Sequence, residues 1–295
     1  MPAPGVLLVD KSGGMTSHDV VARARRALGT RKIGHAGTLD PMATGLLVLG
    51  VEAATRLLTF IVGLDKTYEA TIRLGATTDT DDADGEVLLV TDASTLDASA
   101  VAAGIADLTG QISQVPSSVS AIKVGGRRAY DLVRSGEQIE LAARTVTVSR
   151  FDVLRERRTD RFLDLDVVVD CSSGTYIRAL ARDLGAALVV GGHLTALRRT
   201  RIGPFGIAEA ASLDELAEAV LASPASVAAA VLGRIEVDAD EARDLRHGKR
   251  LAGGAARLEG PLAAAIAPDG SLVGIVERRG GDLKSAMNMP EEQAR

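Results

Sequence analysis

The sequence predicts an α+β chain that ends in a small β-rich module. Three observations carry this reading. Tyr68, Ala70, Ile72 and Leu74, and later Leu163, Leu165, Val167, Val169 and Cys171, alternate with polar residues as strands do. Val20, Val21, Ala24 and Leu28, and later Ile177, Leu180, Ala181, Leu184 and Leu188, fall at helical spacing. After Arg234 the character changes: Gly248 and the Gly253-Gly254 pair break the chain, and residues 263–267 and 272–276 flank Pro268-Asp269-Gly270, a hairpin signal. Residues 1–232 are therefore expected to form the main domain. Residues 233–295 form the small one, with a disordered tail from Met289 to Arg295.

Taken in order, residues 5–10 read as a first strand. Thr16 or Ser17 can cap the helix that follows, with Asp19 favourable in its first turn and Gly29 ending it. Residues 46–51 make a second strand and residues 53–60 a short helix. Asp79 to Gly85 looks like a calcium loop, but the register that puts Gly85 sixth places Thr80 and Thr91 where carboxylates are needed. It is read as an acidic surface loop. Residues 95–108 form an amphipathic helix. Residues 114–144 show little periodicity and many basic residues, as expected of a functional excursion from a sheet, with a helical turn at 130–133. Residues 146–154 form a strand, Thr175 is a candidate cap for the helix carrying Ile177, residues 213–221 form a helix, and residues 223–231 a linker helix.

Composition bounds the function. The chain has 295 residues, 46% apolar and 25% charged, as in ordinary globular proteins. No apolar run approaches the ~18 residues of a membrane span. Residues 1–11 lack the features of a signal peptide. A single cysteine, Cys171, excludes an internal disulfide and fits a reducing compartment, so a cytoplasmic protein is expected. One Cys and four His make no structural zinc set. Net charge is −5, yet basic residues cluster at Arg23–Lys32, Lys123–Arg134 and Arg178–Arg201. A segregated surface of this kind can hold phosphate while the sum stays negative. Any one cluster taken alone reads first as a solvated helix face. Aromatic residues are too scarce for a sheet that stacks several bases.

The stretch from Gly34 to Leu47 packs Gly34, Gly37, Gly45, His35, Asp40 and Pro41 into fourteen residues. So much backbone punctuation holds a shape, and Pro41 forces the backbone of Asp40 to be extended. An Asp-Pro alone is ordinary turn chemistry, and Tyr68 alone is an ordinary core tyrosine. Together with Arg178 they can make a covalent-catalysis set: a carboxylate that is nucleophile or charge stabiliser, a guanidinium that keeps it ionised, and a phenol that stacks or moves a proton.

Gly34-His35-Ala36-Gly37-Thr38-Leu39-Asp40-Pro41, with Ala43, Gly45 and Leu46, resembles the catalytic motif of the TruB family of tRNA pseudouridine synthases. Further segments resemble the same family in order: Lys11 with Gly14 to Ser17, Lys66-Thr67-Tyr68, Leu74-Gly75 with Thr78 to Thr80, Gln114-Val115-Pro116 with Ser120 to Lys123, Cys171 to Arg178, and Leu197 to Thr200 with Gly203 and Phe205. The resemblance implies the pseudouridine synthase fold, a mixed, mostly antiparallel sheet flanked by helices and loops, with a PUA-like C-terminal domain. It implies isomerisation of uridine 55 in the T-loop of tRNA, with no cofactor and no metal. Asp40, Tyr68 and Arg178 would be catalytic. His35, Tyr176, Leu197, Lys11 and Lys123 would bind substrate, and residues 114–144 would grip the RNA. The partner would be the tRNA T-arm, with no membrane and no protein partner, and the chain a monomer. A tRNA-folding role and a guide-RNA-dependent relative are the alternatives. Ser12 and Ser117 stand where the family usually has proline, and Arg56 replaces a common lysine, with a phosphate contact as the feature at risk.

Overall fold

The computed structural model describes residues 2–117, 123–124, 127–128 and 141–290. Its centre is a mixed sheet whose main path runs β1 (Gly5–Lys11), β3 (Thr44–Val51), β12 (Gly192–Ile202), β4 (Lys66–Leu74), β11 (Leu163–Cys171), β10 (Arg144–Arg158) and β7 (Gly110–Gln114). The short β2 (Ile33–Ala36) pairs with β3, and β13 (Phe205–Gly206) with β12. Pairing is antiparallel throughout except where β12 meets β3 in parallel, at Arg198–Thr44 and Arg199–Gly45. Two small hairpins lie outside it: β5 (Ala76–Thr78) with β6 (Val87–Val90), and β8 (Lys123–Val124) with β9 (Arg127–Arg128). The expected mixed, mostly antiparallel sheet is present.

Alternation decides which face each strand buries. Tyr68, Ala70, Ile72 and Leu74 face a cluster with Leu165, Val167 and Val169, covered by α3 (Ala98–Asp107) and α4 (Ile177–Ala187). On the other limb, α1 (Ser17–Ala27) lays Val20, Val21 and Ala24 on Leu7, Val9, Leu47 and Leu49. Thr16 caps α1, and the Asp19 side chain returns the bond to the Thr16 backbone. Glu52–Leu57 is a 3-10 turn running into the single turn α2 (Leu58–Ile61), in place of one short helix over 53–60.

From Arg234 a second sheet runs β14 (Arg234–Glu236), β15 (Leu262–Ile266), β16 (Leu272–Arg279) and β17 (Asp282–Asn288). The expected hairpin at 268–270 joins β15 to β16. One face packs on α6 (Ala239–Arg246); the other sends Ala264, Ile266, Leu272 and Ile275 into a cluster with Val6, Leu8, Leu57 and Phe205, alongside α5 (Pro224–Leu232).

Some expectations fail. Residues 213–221 form turns and no helix. Their flanks are tied to β1 instead, Ala211 N–H to Leu8 O at 2.9 Å and Ala222 N–H to Val6 O at 2.8 Å, so the apolar side chains dock without a helical ladder. The helix expected over 95–108 is α3, which starts after its Asp97 cap. The strand expected over 146–154 is the longer β10, and Ser223 caps α5. Thr175 does not cap α4: its hydroxyl donates to Ser172 O, and the cap position is Tyr176, with no side-chain cap bond. Met289, placed in a disordered tail, is 7% exposed and donates its N–H to Val273 O. The helical turn expected at 130–133 and residues 291–295 lie outside the described residues. Among the described residues no helix is long and apolar enough to cross a membrane.

Candidate active site

The Asp40 loop bridges β2 and β3 and is held from several sides. Lys11, wholly buried at the end of β1, donates from Nζ to the carbonyls of Ser12 (2.9 Å), Met15 (2.7 Å) and Pro41 (3.2 Å). The Leu39 N–H donates to Ser17 Oγ at 2.9 Å, which fastens the loop to the start of α1. Gly45 closes the loop with φ +99°, and a Cβ there would lie 2.3 Å from Arg199 O. No other residue fits that parallel crossing of β3 and β12.

Arg178, on the first turn of α4 and 3% exposed, places Nε 3.0 Å from Asp40 Oδ2 and Nη1 3.3 Å from Asp82 Oδ2. Nη1 also donates to Thr80 O at 2.8 Å. One guanidinium thus stands between two carboxylates. Burial pushes the Asp40 carboxyl above its usual range; Arg178 opposes that, and Asp82 adds to it. The Asp40 side chain is 35% exposed, so it still opens on the cleft. The loop carrying Asp82 was expected to be an acidic surface loop. Asp79 and Asp84 are exposed as expected, but Asp82 is buried. The Asp82 side chain is 6% exposed and fixed by the Thr80 hydroxyl, and Asp81 pairs with Arg182 at 3.4 Å. Asp81 takes a left-handed backbone, φ +61°, which an aspartate tolerates at some cost.

The opposite wall is the inward face of β4 and β12. Lys66 and Tyr68 point the same way, two residues apart, and Arg199 lies across from Tyr68 in register. Burial raises the Tyr68 phenol above its ordinary range, while the neighbouring Arg199 guanidinium opposes the shift. Lys66 donates to Val62 O (3.0 Å) and Leu64 O (2.6 Å), and burial lowers its pKa to about 8. Sequence reasoning assigned no role to Lys66, Asp82 or Arg199. For the lysine and Arg199 a signal existed: each is a cation on the inward side of an alternating strand, in phase with Tyr68 or Leu197.

These walls enclose a cleft of about 290 Å³. Asp40, Tyr68, Arg178, Tyr176 and Leu197 all line it. His35 and Lys11 do not. His35 sits on β2, half-buried, its ring edge-on to His18 at 5.4 Å between centroids, and burial lowers its pKa. Lys11 lies beneath the loop. Lys123 opens β8. The side chain of Gln114 receives the Tyr176 N–H on Oε1 (2.8 Å) and donates from Nε2 to Tyr176 O (3.1 Å), fixing the cleft wall to the end of β7.

The basic run after Leu197 is engaged internally. Arg198 clasps Asp10 with both nitrogens, at 3.0 and 2.6 Å, and Arg201 donates to Thr67 Oγ1. Arg56 donates to Asn288 O at 2.6 Å, tying the 3-10 turn to β17.

The sheet order and cleft define a pseudouridine synthase fold. A structure of an H/ACA RNP bound to a substrate RNA containing 2′-deoxyuridine matches with a TM-score of 0.71 at 23% identity, covering 98% of this chain and 86% of the other. A Cbf5-Nop10-Gar1 complex matches at 0.69 and 24%, covering 98% and 84%. At that identity the likeness concerns the fold. Residues 25–177 match the TruB family pseudouridylate synthase N-terminal domain, residues 178–241 the tRNA pseudouridylate synthase B C-terminal domain, and residues 232–290 the tRNA pseudouridine synthase II C-terminal domain. The tRNA pseudouridine synthase B of Leifsonia xyli subsp. xyli is 57% identical over 99% of both chains. That of Nocardia farcinica is 60% identical over 95% of this chain and 91% of its own. The chain belongs to the TruB family of pseudouridylate synthases.

Proposed function

We propose that this isomerase converts uridine 55 in the T-loop of tRNA to pseudouridine, as a monomer in the cytoplasm with no protein partner. The bond from C1′ to N1 breaks, a bond from C1′ to C5 forms, the C5 proton leaves and N1 takes one up. Base and sugar are conserved, and no electrons are exchanged with a second reactant. The observation that carries the reading is the Arg178 bridge between Asp40 and Asp82, set in the wall of a cleft that also holds Tyr68.

Asp40 attacks the nucleoside or assists base departure, and Arg178 keeps it ionised against its burial. Tyr68 stacks on the uracil, and Tyr176 and Leu197 close the pocket around it. The reacting bonds are hidden inside a folded loop, so the base must be extruded first. Residues 1–232 carry the catalysis, with 114–144 as the RNA-gripping insertion. Residues 233–295 form the second domain, which supports the first. Lys123 within the insertion and His35 beside the loop contact the RNA.

The test is a tritium-release assay on T-arm stem-loop RNA labelled at C5 of uridine, with purified protein and no guide RNA. Asp40→Asn is expected to release no tritium while still binding the RNA. Release by that variant sinks the assignment, and a requirement for guide RNA or a partner sinks the stand-alone reading.

A further inference from the structure

Arg178 and Arg182 stand one turn apart on the same face of α4 and reach consecutive carboxylates of one loop, Asp82 and Asp81. Arg178 joins that loop to Asp40. Arg182 joins it to something else. Its Nη1 lies 3.4 Å from Asp81 Oδ2, its Nη2 donates to Val115 O at 2.7 Å, and its Nε donates to Asp183 Oδ1 at 2.9 Å. Val115 O is a fixed point. The residue before it, Gln114, is 1% exposed, and its side chain holds both backbone groups of Tyr176. Asp81 is the opposite kind of place. Its left-handed backbone is strained and persists only where neighbours hold it. Its carbonyl receives the Leu194 N–H at 3.0 Å, and its carboxylate, 15% exposed, receives Arg182. The direction in which the chain leaves Asp81 sets where Asp82 points, and so where Arg178 finds its second carboxylate.

We propose that Arg182 is a positioning residue that braces the Asp81–Asp82 loop against Val115 and thereby fixes the arginine that pairs with Asp40. Arg182 does not line the cleft. It acts through Asp81, Asp82 and Arg178 in turn. An ion pair exposed on a helix contributes little. This one differs, because one partner is a main-chain carbonyl at the end of β7 and the other a largely buried carboxylate on a strained residue. The planar fork matters as well as the charge: an ammonium on a flexible stem cannot hold Val115 O, Asp81 and Asp183 at once. The inference rests on the proposed activity for its kinetic consequence and on these contacts alone for the brace.

The experiment is a double-mutant cycle of Arg182→Met and Asp82→Asn in the full chain, read by single-turnover pseudouridine formation at saturating T-arm stem-loop. Arg182→Met alone should be slower by roughly 10-fold, less than the ~100-fold of a fully misplaced group, because the Thr78 and Thr80 hydroxyls still hold Asp82. In the Asp82→Asn background the same change should cost less than ~3-fold, since the route it acts through is already broken. General loosening gives the full ~10-fold in both backgrounds, and that result overturns the proposal. So does weaker RNA binding with an unchanged saturated rate, which would make Arg182 a phosphate contact. Arg182→Lys should stay at least ~3-fold slow, and full rescue by it overturns the brace. If Arg182→Met does not fold, Asp81→Asn, which tolerates the left-handed backbone and removes the charge, takes its place with the same expectations. The Arg178 Nε–H resonance, assigned through Arg178→Lys, gives a reading that needs no turnover. It faces Asp40 and should move when the brace is cut, and its constancy overturns the proposal. A native chain that forms no pseudouridine fails the activity reading, and this resonance then decides the inference by itself.

Discussion

At the scale of single residues, the cleft is governed by how few charges sit in it and how deeply. In the proposed reaction Asp40 must be ionised to act, yet burial and Asp82 both raise its pKa. Activity should therefore fall with acid at a pH above the ordinary carboxylate range. Asp82→Asn removes a neighbouring negative charge, so the acid limb should move to lower pH. The plateau rate should drop on the order of 100-fold, because Arg178 loses its second anchor. A rate–pH profile of the variant checks both directions, and an upward shift of the limb would contradict them. Lys11 and Lys66 have folded-state pKa values lowered to about 8, from 10.5. Between those values the unfolded chain binds more protons, so stability rises as pH climbs from 8 towards 10.5. Urea unfolding across that window should show the rise, and Lys66→Met should lessen it, with the share of Lys11 remaining.

The elements show where local rules hold and where the site overrides them. Helix α4 ends in a Schellman arrangement: Val189 N–H reaches Ala186 O at 3.1 Å and Val190 N–H reaches Gly185 O at 3.0 Å. Its left-handed position, φ +59°, is filled by Val189, which is 84% exposed and β-branched. Glycine suits that place better. Val189→Gly should raise stability by about 1 kcal/mol with unchanged turnover, and thermal melting measures it. The strands were legible in the sequence because alternation and burial agree at Tyr68 to Leu74 and Leu163 to Cys171. The Thr16 cap and the 268–270 hairpin were legible through local chemistry. The turns at 213–221 were not, since their leucines have helical spacing while their backbone is fixed by β1, a partner remote in sequence. Asp40, Tyr68 and Arg178 were singled out by residue type together with the family resemblance. Asp82 was missed because an acidic run reads as solvated, and only the fold reveals the arginine beneath it. Arg199 was missed because a basic run reads as a surface.

Across the whole molecule the two sheets share a core. Ile275 and Ala264 of the second sheet pack with Val6, Leu8 and Phe205 of the first. The smaller sheet therefore also serves as a wall of the larger one, and Arg56 adds a polar tie to Asn288. Ile275→Ala should cost about 2–5 kcal/mol, and the chain should still melt in one transition, because the affected cluster belongs to both parts. Two separate calorimetric peaks would contradict this. Charge is arranged on the same principle. Arg198 and Arg201 at the surface and Arg178 in the interior are each paired with a carboxylate of the fold.

The cleft has an optical consequence as well. The chain has no tryptophan and only three tyrosines. Two of them, Tyr68 and Tyr176, line the cleft. Intrinsic ultraviolet fluorescence is then dominated by groups that a nucleobase would touch. Docking of RNA in the cleft is expected to quench that emission without any attached dye, and a fluorescence titration of the native protein checks it.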